Sequence, residues 1–320
     1  MDKGTMNRFS RIAVCTLACL AALGLGGCSL LTPTRAEVPP KTVRTKITTP
    51  VIANKGVLTV ALDAADAPQA MNDADGRLVG YSVDVAYAIA ERLGLKVEFV
   101  TDEGPDSVGK SDSADIYIGA TSDDETDDVL VIGTYLENAP SIFARTEGAG
   151  EQGGSLSAAD LSGAKIGVQI SSAAQDVLVS SGVDAEFKTY GNVNECLEAL
   201  GSGEVDYVAC DATAGAYLAR AHAGTSFAAS LDTPSSIGIA IKAKRTELID
   251  AIQGALDEIS ADGTLDAIHR AWYGDMPMST AEFLLSGIQT SEERELAKRE
   301  QAAAQEQAAD SPEAEDAPAE

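Results

Sequence analysis

Apolar positions along the middle of the chain switch repeatedly between a short continuous run and a four-residue spacing. A β-type run at 57–62 (VLTVAL) comes first. Ser82 then stands as a candidate cap for a helix whose Val85, Ile89 and Leu93 recur every four residues, and Gly94 ends it before a strand at 96–100. The exchange resumes with a strand at 165–170 (KIGVQI), a helix from Ser172, a strand at 185–188, a helix at 194–200 and a strand at 205–210 (VDYVAC). A strand at 237–242 and two helices, 247–259 and 265–272, divided by Asp262 and Gly263, close the body. This alternation predicts an α/β fold with mostly parallel sheets covered by helices.

The two ends read differently. Lys3, Arg8 and Arg11 precede an apolar stretch at 12–25 that runs into Gly26, Gly27 and Cys28. That stretch is short of the ~20 residues of a spanning helix, and its basic flank and small residues mark an export signal. The Leu25-Gly26-Gly27-Cys28 ending resembles a bacterial lipobox, which implies cleavage before Cys28 and a lipid on its thiol. Residues 29–55 are rich in Thr and Pro, mildly basic and without sustained period, as in a tether. From Ser291 onward Glu, Ala and Gln dominate, which suits a frayed helix followed by disorder.

Composition then narrows the function. The 320 residues carry 50 Asp and Glu against 23 Lys and Arg, a formal charge of -27, with 45% hydrophobic residues. Length suggests about two domains at about 150 residues each. A strongly acidic chain lacks the cations that displace counterions from nucleic acid, so DNA and RNA are excluded as partners. Two His (His222 and His269) and five Cys form no zinc pattern, the common hydrolase and nucleotide motifs are absent, and no cofactor is expected. Cys196 and Cys210 read as two buried thiols, although an oxidising compartment permits a disulfide.

In open α/β sheets, ligands sit beyond the carboxyl ends of the strands. Asp63 and Asp66 follow the first strand, Ser171 and Ser172 open a helix after the strand at 165–170, and Asp211 follows the strand at 205–210. A helix start with Ser hydroxyls suits a carboxylate and Asp211 suits an ammonium, the two ends of an amino acid. Ser172 and Asp211 serve equally well as plain helix caps, and both readings stand at this point.

The segments GVLTVALD (56–63), DGRLVGYSVDVAYAIAERLGLKVEF (75–99), LSGAKIGVQ (161–169), ECLEALGSGEVDYVACD (195–211), IGIAIK (237–242) and ADGTLDAIHRAWYG (261–274) resemble, in order and spacing over about 220 residues, the family-3 extracytoplasmic solute-binding proteins, the polar amino-acid receptors of ABC importers. The resemblance implies a two-lobed, type II periplasmic-binding-protein-like fold with the ligand cleft between the lobes. The chain would leave the first lobe near 138–142 and return near 236–239. It divides the sequence into a signal peptide (1–27), a lipidated Cys28 and flexible tether (28–55), lobe 1 (56–140 plus 237–275), lobe 2 (141–236) and a partly disordered acidic tail (276–320). It places the ammonium partner at Asp211 and the carboxylate partner at Ser172, with Gln169, Ala173 and Thr121 beside them.

Two features depart from the family pattern. Its aromatic wall segment aligns with Asp66-Ala67-Pro68-Gln69, so Asp66 and Gln69 replace aromatics, and Thr126 stands where a carboxylate-clamping Arg is expected. The acids Asp63, Asp66, Asp123, Asp124, Glu125, Asp127 and Asp128 gather at the first-lobe mouth, and two readings stand: a solvated acidic loop on an acidic protein, or a pocket shifted towards a cationic or multi-amine ligand. Aromatics that could cage such a cation are scarce, with Tyr81, Tyr117 and Tyr135 the only tyrosines in 56–140 apart from Tyr87 on the helix. The expected protein is a monomeric, non-catalytic lipoprotein, palmitate-bearing and anchored extracytoplasmically, that delivers an amino acid or amine to an ABC permease and ATPase. Two alternatives are a degenerate fold kept as a sensor or interaction module and a cyclohexadienyl-dehydratase-like enzyme; neither His lies at a strand end to carry protons.

Overall fold

The computed structural model describes residues 44–101, 104–110, 113–146 and 156–309. The expectations on 1–43, including the export signal and Cys28, and on 310–320 lie outside the described residues. Two five-stranded sheets organise the remainder. The first runs β4 (Lys96–Thr101), β1 (Val57–Leu62), β5 (Ile116–Ala120), β12 (Ser235–Lys242) and β6 (Val129–Asn138) in spatial order. β1 is parallel to both neighbours, and β12 is antiparallel to β5 and β6. The second runs β11 (Thr225–Ser230), β7 (Pro140–Arg145), β10 (Tyr207–Asp211), β8 (Lys165–Gln169) and β9 (Glu186–Tyr190), parallel across β10, β8 and β9. A two-stranded ribbon of β2 (Met71–Asn72) and β3 (Leu78–Val79) precedes the first helix.

The helices form where the spacing predicts and bury the faces it selects. α1 (Tyr81–Leu93) turns Val85, Ile89 and Leu93 into the core and ends at Gly94 in the left-handed region. Each such side chain contributes about 1.5–3 kcal/mol of burial. α2 (Asp106–Lys110) is one short turn whose Val108 is buried. α3 (Ala173–Ser181) and α4 (Val193–Ser202) cover the second sheet; α5 (Ala212–Ala219) packs on β11 and on α7 (Thr264–Tyr273), which with α6 (Thr246–Ala261) also packs on α1.

The start of α1 differs from expectation. Ser82 is not its cap: the residue before the helix is Gly80, and Ser82 Oγ pairs with Tyr135 Oη at 2.9 Å. The first amides are satisfied by backbone instead, Tyr81 N donating to Pro68 O at 3.2 Å and Ser82 N to Gln69 O at 3.0 Å. Gly80 is required there, because its φ is 151° and a Cβ would stand 2.1 Å from Gln69 O.

Two crossovers join the sheets. Only Ala139 separates β6 from β7, residues 231–234 connect β11 to β12, and Asn138 and Ser235 sit opposite each other in antiparallel register. Both segments read as tether or tail also belong to the body. Residues 44–55, expected to be flexible, lie against the first lobe: Ile47 and Ile52 are buried in its core, and Lys46 N donates to Leu93 O at 2.9 Å. Ala53 N donates to Asp115, a buried carboxylate that also accepts from Thr59 N and pairs with Arg245 at 2.7 Å.

Residues 276–290, placed with the tail in the division of the chain, instead form a strap over the crossovers. The Glu137 carboxylate accepts from Thr280 N at 2.8 Å and Ala281 N at 3.2 Å. Leu285 N donates to Ser230 O at 2.8 Å, with Leu285 buried in the second core. Asp232, on the other crossover, accepts from Ser291 N at 2.8 Å where the exposed α8 (Ser291–Ala309) begins. No described helix is long and apolar enough to cross a membrane.

Candidate functional site

A cavity of about 380 Å³ lies where the two sheets meet. It is lined by Thr121 at the end of β5, by Asn138, Ala139, Pro140 and Ser235 of the crossovers, by Gln169, Ser172 and Ala173 of the β8–α3 turn, and by Asp211 and Ala214 of the β10–α5 junction. Local rules position each group. Ser171 has φ 57°, unusual for a residue with a side chain, and its amide donates to Gln175 Oε1 at 2.9 Å. The turn this makes presents Ser172, whose Oγ accepts from Gln175 N at 3.3 Å and so keeps its O–H to donate. The unpaired first-turn amides of α3 add donors and the positive end of the helix dipole.

Asp211 faces this carboxylate-type subsite with the opposite polarity. Its Oδ1 accepts from Thr213 Oγ1 at 2.8 Å and Ala214 N at 3.0 Å, while Oδ2 accepts from Asn138 Nδ2. All three donors are neutral, so its negative charge is uncompensated. Among the described residues, Asp211 is the sole acid lining the cavity, and no Lys, Arg or His lines it.

Of the sequence candidates, the cavity brings together Thr121, Gln169, Ser172, Ala173 and Asp211; Asp63, Asp66, Gln69 and Thr126 do not line it. Thr126 forms an exposed turn, its Oγ1 accepting from Asp128 N at 3.3 Å and Val129 N at 3.1 Å, so no side chain reaches the cleft from that position. Asp63 caps its own turn through Ala65 N at 2.8 Å. Gln69 is buried and its Nε2 donates to Thr213 Oγ1 at 2.9 Å.

The acidic mouth is only partly as expected. Asp124 accepts from Thr121 N at 2.8 Å and Glu125 from Val131 N at 3.2 Å, which are structural uses; Asp123, Asp127 and Asp128 are exposed. Asp66 is the exception. Its side chain reaches solvent, yet surrounding protein first, then the charges of Asp63 and Asp211, raise its pKa above the usual carboxylate value. It is therefore electrostatically part of the Asp211 end.

Tyr81, Tyr117 and Tyr135 are all buried in cores and none of them lines the cavity. Tyr81 Oη donates to Tyr135 O at 2.7 Å, and Tyr81, Tyr273 and His269 pack ring against ring. Burial lowers the His269 pKa to about 4. Cys196 and Cys210 are free buried thiols, and burial pushes Cys196 up to about 11. Among the described residues, no group of three or more His, Cys, Asp or Glu could hold a metal. Asn138, Thr213 and Ser235 were missed from sequence; only Thr213, two residues after Asp211, carries a local signal, that of a hydroxyl on a capping carboxylate.

Two lobes joined by paired crossovers, with a cavity between them that sets a few polar groups among mostly apolar lining, define a cleft-type binding protein. The profile of the bacterial extracellular solute-binding proteins, family 3, matches residues 58–150 and 130–275, and the chain belongs to that family. It is 24% identical over 233 residues to the L-cystine-binding protein TcyJ of Escherichia coli (strain K12), covering 70% of this chain and 85% of that one. It is 27% identical over 243 residues to the L-arginine-binding protein of Pseudomonas aeruginosa, covering 70% and 90%. Among solved structures, a polar amino acid ABC uptake transporter substrate binding protein from Streptococcus thermophilus superposes with a TM-score of 0.61 at 19% identity, covering 68% of this chain and 86% of that one. The type II periplasmic-binding-protein fold expected from sequence is the fold observed.

Proposed function

We propose that this protein binds an amino acid or a related small cationic solute in the interlobe cleft and delivers it to an ABC permease and its ATPase. The carrying observation is the placement of charge in the cavity: one carboxylate, Asp211, held by neutral donors, opposite a helix start, with no basic side chain among the described residues lining the space. The ligand's ammonium sits on Asp211 and its carboxylate on the Ser172 hydroxyl and the α3 amides. The names of the cystine-binding and arginine-binding relatives support an amino-acid ligand. Asp66 favours a cationic one. The chain acts as a monomer held at the outer face of the membrane by a lipid on Cys28, and the cleft serves binding and not catalysis, a reading supported by the names of the binding-protein relatives.

Calorimetry and thermal unfolding with L-arginine, L-lysine, putrescine, L-cystine and neutral amino acids test this reading. Expected is binding with a preference for the cations, and stabilisation of about 2.7 kcal/mol at one hundred times Kd. The absence of a shift with all of them refutes it and favours the sensor or interaction role, towards which the missing carboxylate clamp at Thr126 points. Palmitate labelling in the producing cell, lost in Cys28→Ala, tests the anchor.

A further inference from the structure

Gln69 stands where the family resemblance puts an aromatic ligand wall, but its side chain follows a different course. It leaves the first lobe and donates through Nε2 to Thr213 Oγ1 of α5, in the second lobe, at 2.9 Å. Thr213 has one hydroxyl proton. Since its oxygen accepts from Gln69 and the Asp211 carboxylate can only accept, that proton is committed to Asp211 Oδ1, at 2.8 Å. Gln69 thus fixes which way the Thr213 hydroxyl points, and through it one of the three donors that hold the carboxylate.

The rest of Gln69 is fastened to the first lobe. Its carbonyl accepts from Ser82 N at 3.0 Å, and its backbone fills the space against Gly80 that a Cβ would need. A residue kept for packing alone would be apolar here. Gln69 Oε1 instead lies buried with no hydrogen-bond partner among the described residues, an arrangement that works against stability and so points to another use of the amide.

We infer that Gln69 is a positioning residue that ties lobe closure to the orientation of Asp211 through Thr213, without itself lining the ligand cavity. Movement of the first lobe away from the second breaks the Gln69 contact, frees the Thr213 hydroxyl to rotate and loosens the carboxylate. The inference rests on the reading of Asp211 as the ligand's cation partner for its affinity consequence, but not for its conformational one.

The test uses Gln69→Leu, Thr213→Val and the double variant in the full chain, with L-arginine as the calorimetric probe. Gln69→Leu should weaken L-arginine about tenfold, the loss of one hydrogen bond, while its melting temperature stays at or above wild type. The double variant should bind no more weakly than Thr213→Val alone. Unchanged affinity in Gln69→Leu, or losses that multiply in the double variant, overturns the relay. If Gln69→Leu does not fold, Gln69→Met takes its place.

A second readout needs no ligand. Nitroxide labels at Asp75→Cys and Asp184→Cys, both exposed positions, in a chain that also carries Cys15→Ser, Cys19→Ser and Cys28→Ser, report the interlobe distance while Cys196 and Cys210 stay buried and unlabelled. A distribution broadened alike by Gln69→Leu and Thr213→Val supports the contact as an interlobe latch; one unchanged in both overturns it. Broadening in both variants, with a wild type that binds none of the amino acids or amines tried, would refute the amino-acid reading and leave the latch standing.

Discussion

Asp211→Asn removes the proposed ligand charge with the least change of shape, and its cost can be worked out atom by atom. An amide oxygen can keep the bonds from Thr213 Oγ1 and Ala214 N that Oδ1 now accepts. At the other oxygen, the new NH₂ meets the NH₂ of Asn138, and Asn138 cannot turn over because its Oδ1 accepts from Thr213 N at 3.2 Å. The unmade bond costs about 1–3 kcal/mol of stability, and in a body of this size each kcal/mol lowers the melting temperature by about 2–4 °C. The ligand loses a charge-assisted bond of about 1.5–3 kcal/mol, which is roughly a 10- to 150-fold rise in Kd. Exchanging the pair as Asn138→Asp with Asp211→Asn separates the two effects, since the carboxylate now at 138 accepts from the amide now at 211 and from Thr213 N. Melting curves and calorimetry with L-arginine should show stability recovered in the exchange variant and affinity not. Affinity within twofold of wild type in Asp211→Asn, or affinity restored together with stability in the exchange, would refute the assignment of the charge to that atom position.

Four further outcomes are expected. His269 packs against the edges of the Tyr81 and Tyr273 rings with its pKa lowered from 6.5 to about 4 by burial, Asp266 opposing and Arg270 reinforcing the shift. The unfolded chain takes up this proton below its pKa of 6.5 and the folded chain only near 4, so stability falls as pH drops through that window, by about 3 kcal/mol in all; His269→Phe should flatten that stretch of the melting curve against pH. Asp66 has a raised pKa, so its ionisation works against the fold as pH rises above the carboxylate range, and Asp66→Asn should raise the melting temperature at pH 7. Leu285→Ala, at a buried strap position in the second core, should cost about 2–4 kcal/mol by denaturant titration, and no measurable loss would show the strap unattached. Gly80→Ala should prevent normal folding or lower the melting temperature steeply, because the new methyl group would overlap a fixed backbone carbonyl.

What sequence revealed follows from how local each cause is. The α1 stripe of Val85, Ile89 and Leu93 and the run at 57–62 declare themselves because period and burial are written within a dozen residues. Ser172 and Asp211 were found as cleft residues for the same reason: each follows a strand and caps a helix, and the carboxyl ends of strands form the cleft wall. Gln69 could not be placed, since its partner Thr213 lies 144 residues away and its own neighbourhood suggested a ligand wall. The misread segments 44–55 and 276–290 share a cause. They are extended chain anchored by isolated residues, Ile47, Ile52, Thr280 and Leu285, which leave no repeating pattern. Ser82 misled in another way, because its hydroxyl is used by Tyr135, 53 residues on, and the helix start is closed by backbone carbonyls.

The missing clamp and the added acid act on ligand choice in the same direction, and their magnitudes decide between ligand classes. A carboxylate in this cleft meets neutral donors and one helix start, a field contributing about 0.3–1 kcal/mol near the surface, where a guanidinium would add a charge-assisted pair. An ammonium meets Asp211 inside the cavity with Asp66 near it. In the proposed binding mode the cationic end of an amino acid is therefore held more firmly than the anionic end, and a second positive group gains what a lone carboxylate does not. Salt separates the two acids. Asp66 reaches solvent, and its attraction is screened over about 8 Å at physiological ionic strength and about 3 Å at 1 M, whereas the Asp211 contact is direct. The preference for L-arginine over a neutral amino acid should shrink in high salt by the amount that Asp66→Asn removes in low salt. In the Asp66→Asn variant, salt should have little further effect, because the remaining charge in the cleft is already in contact with the ligand.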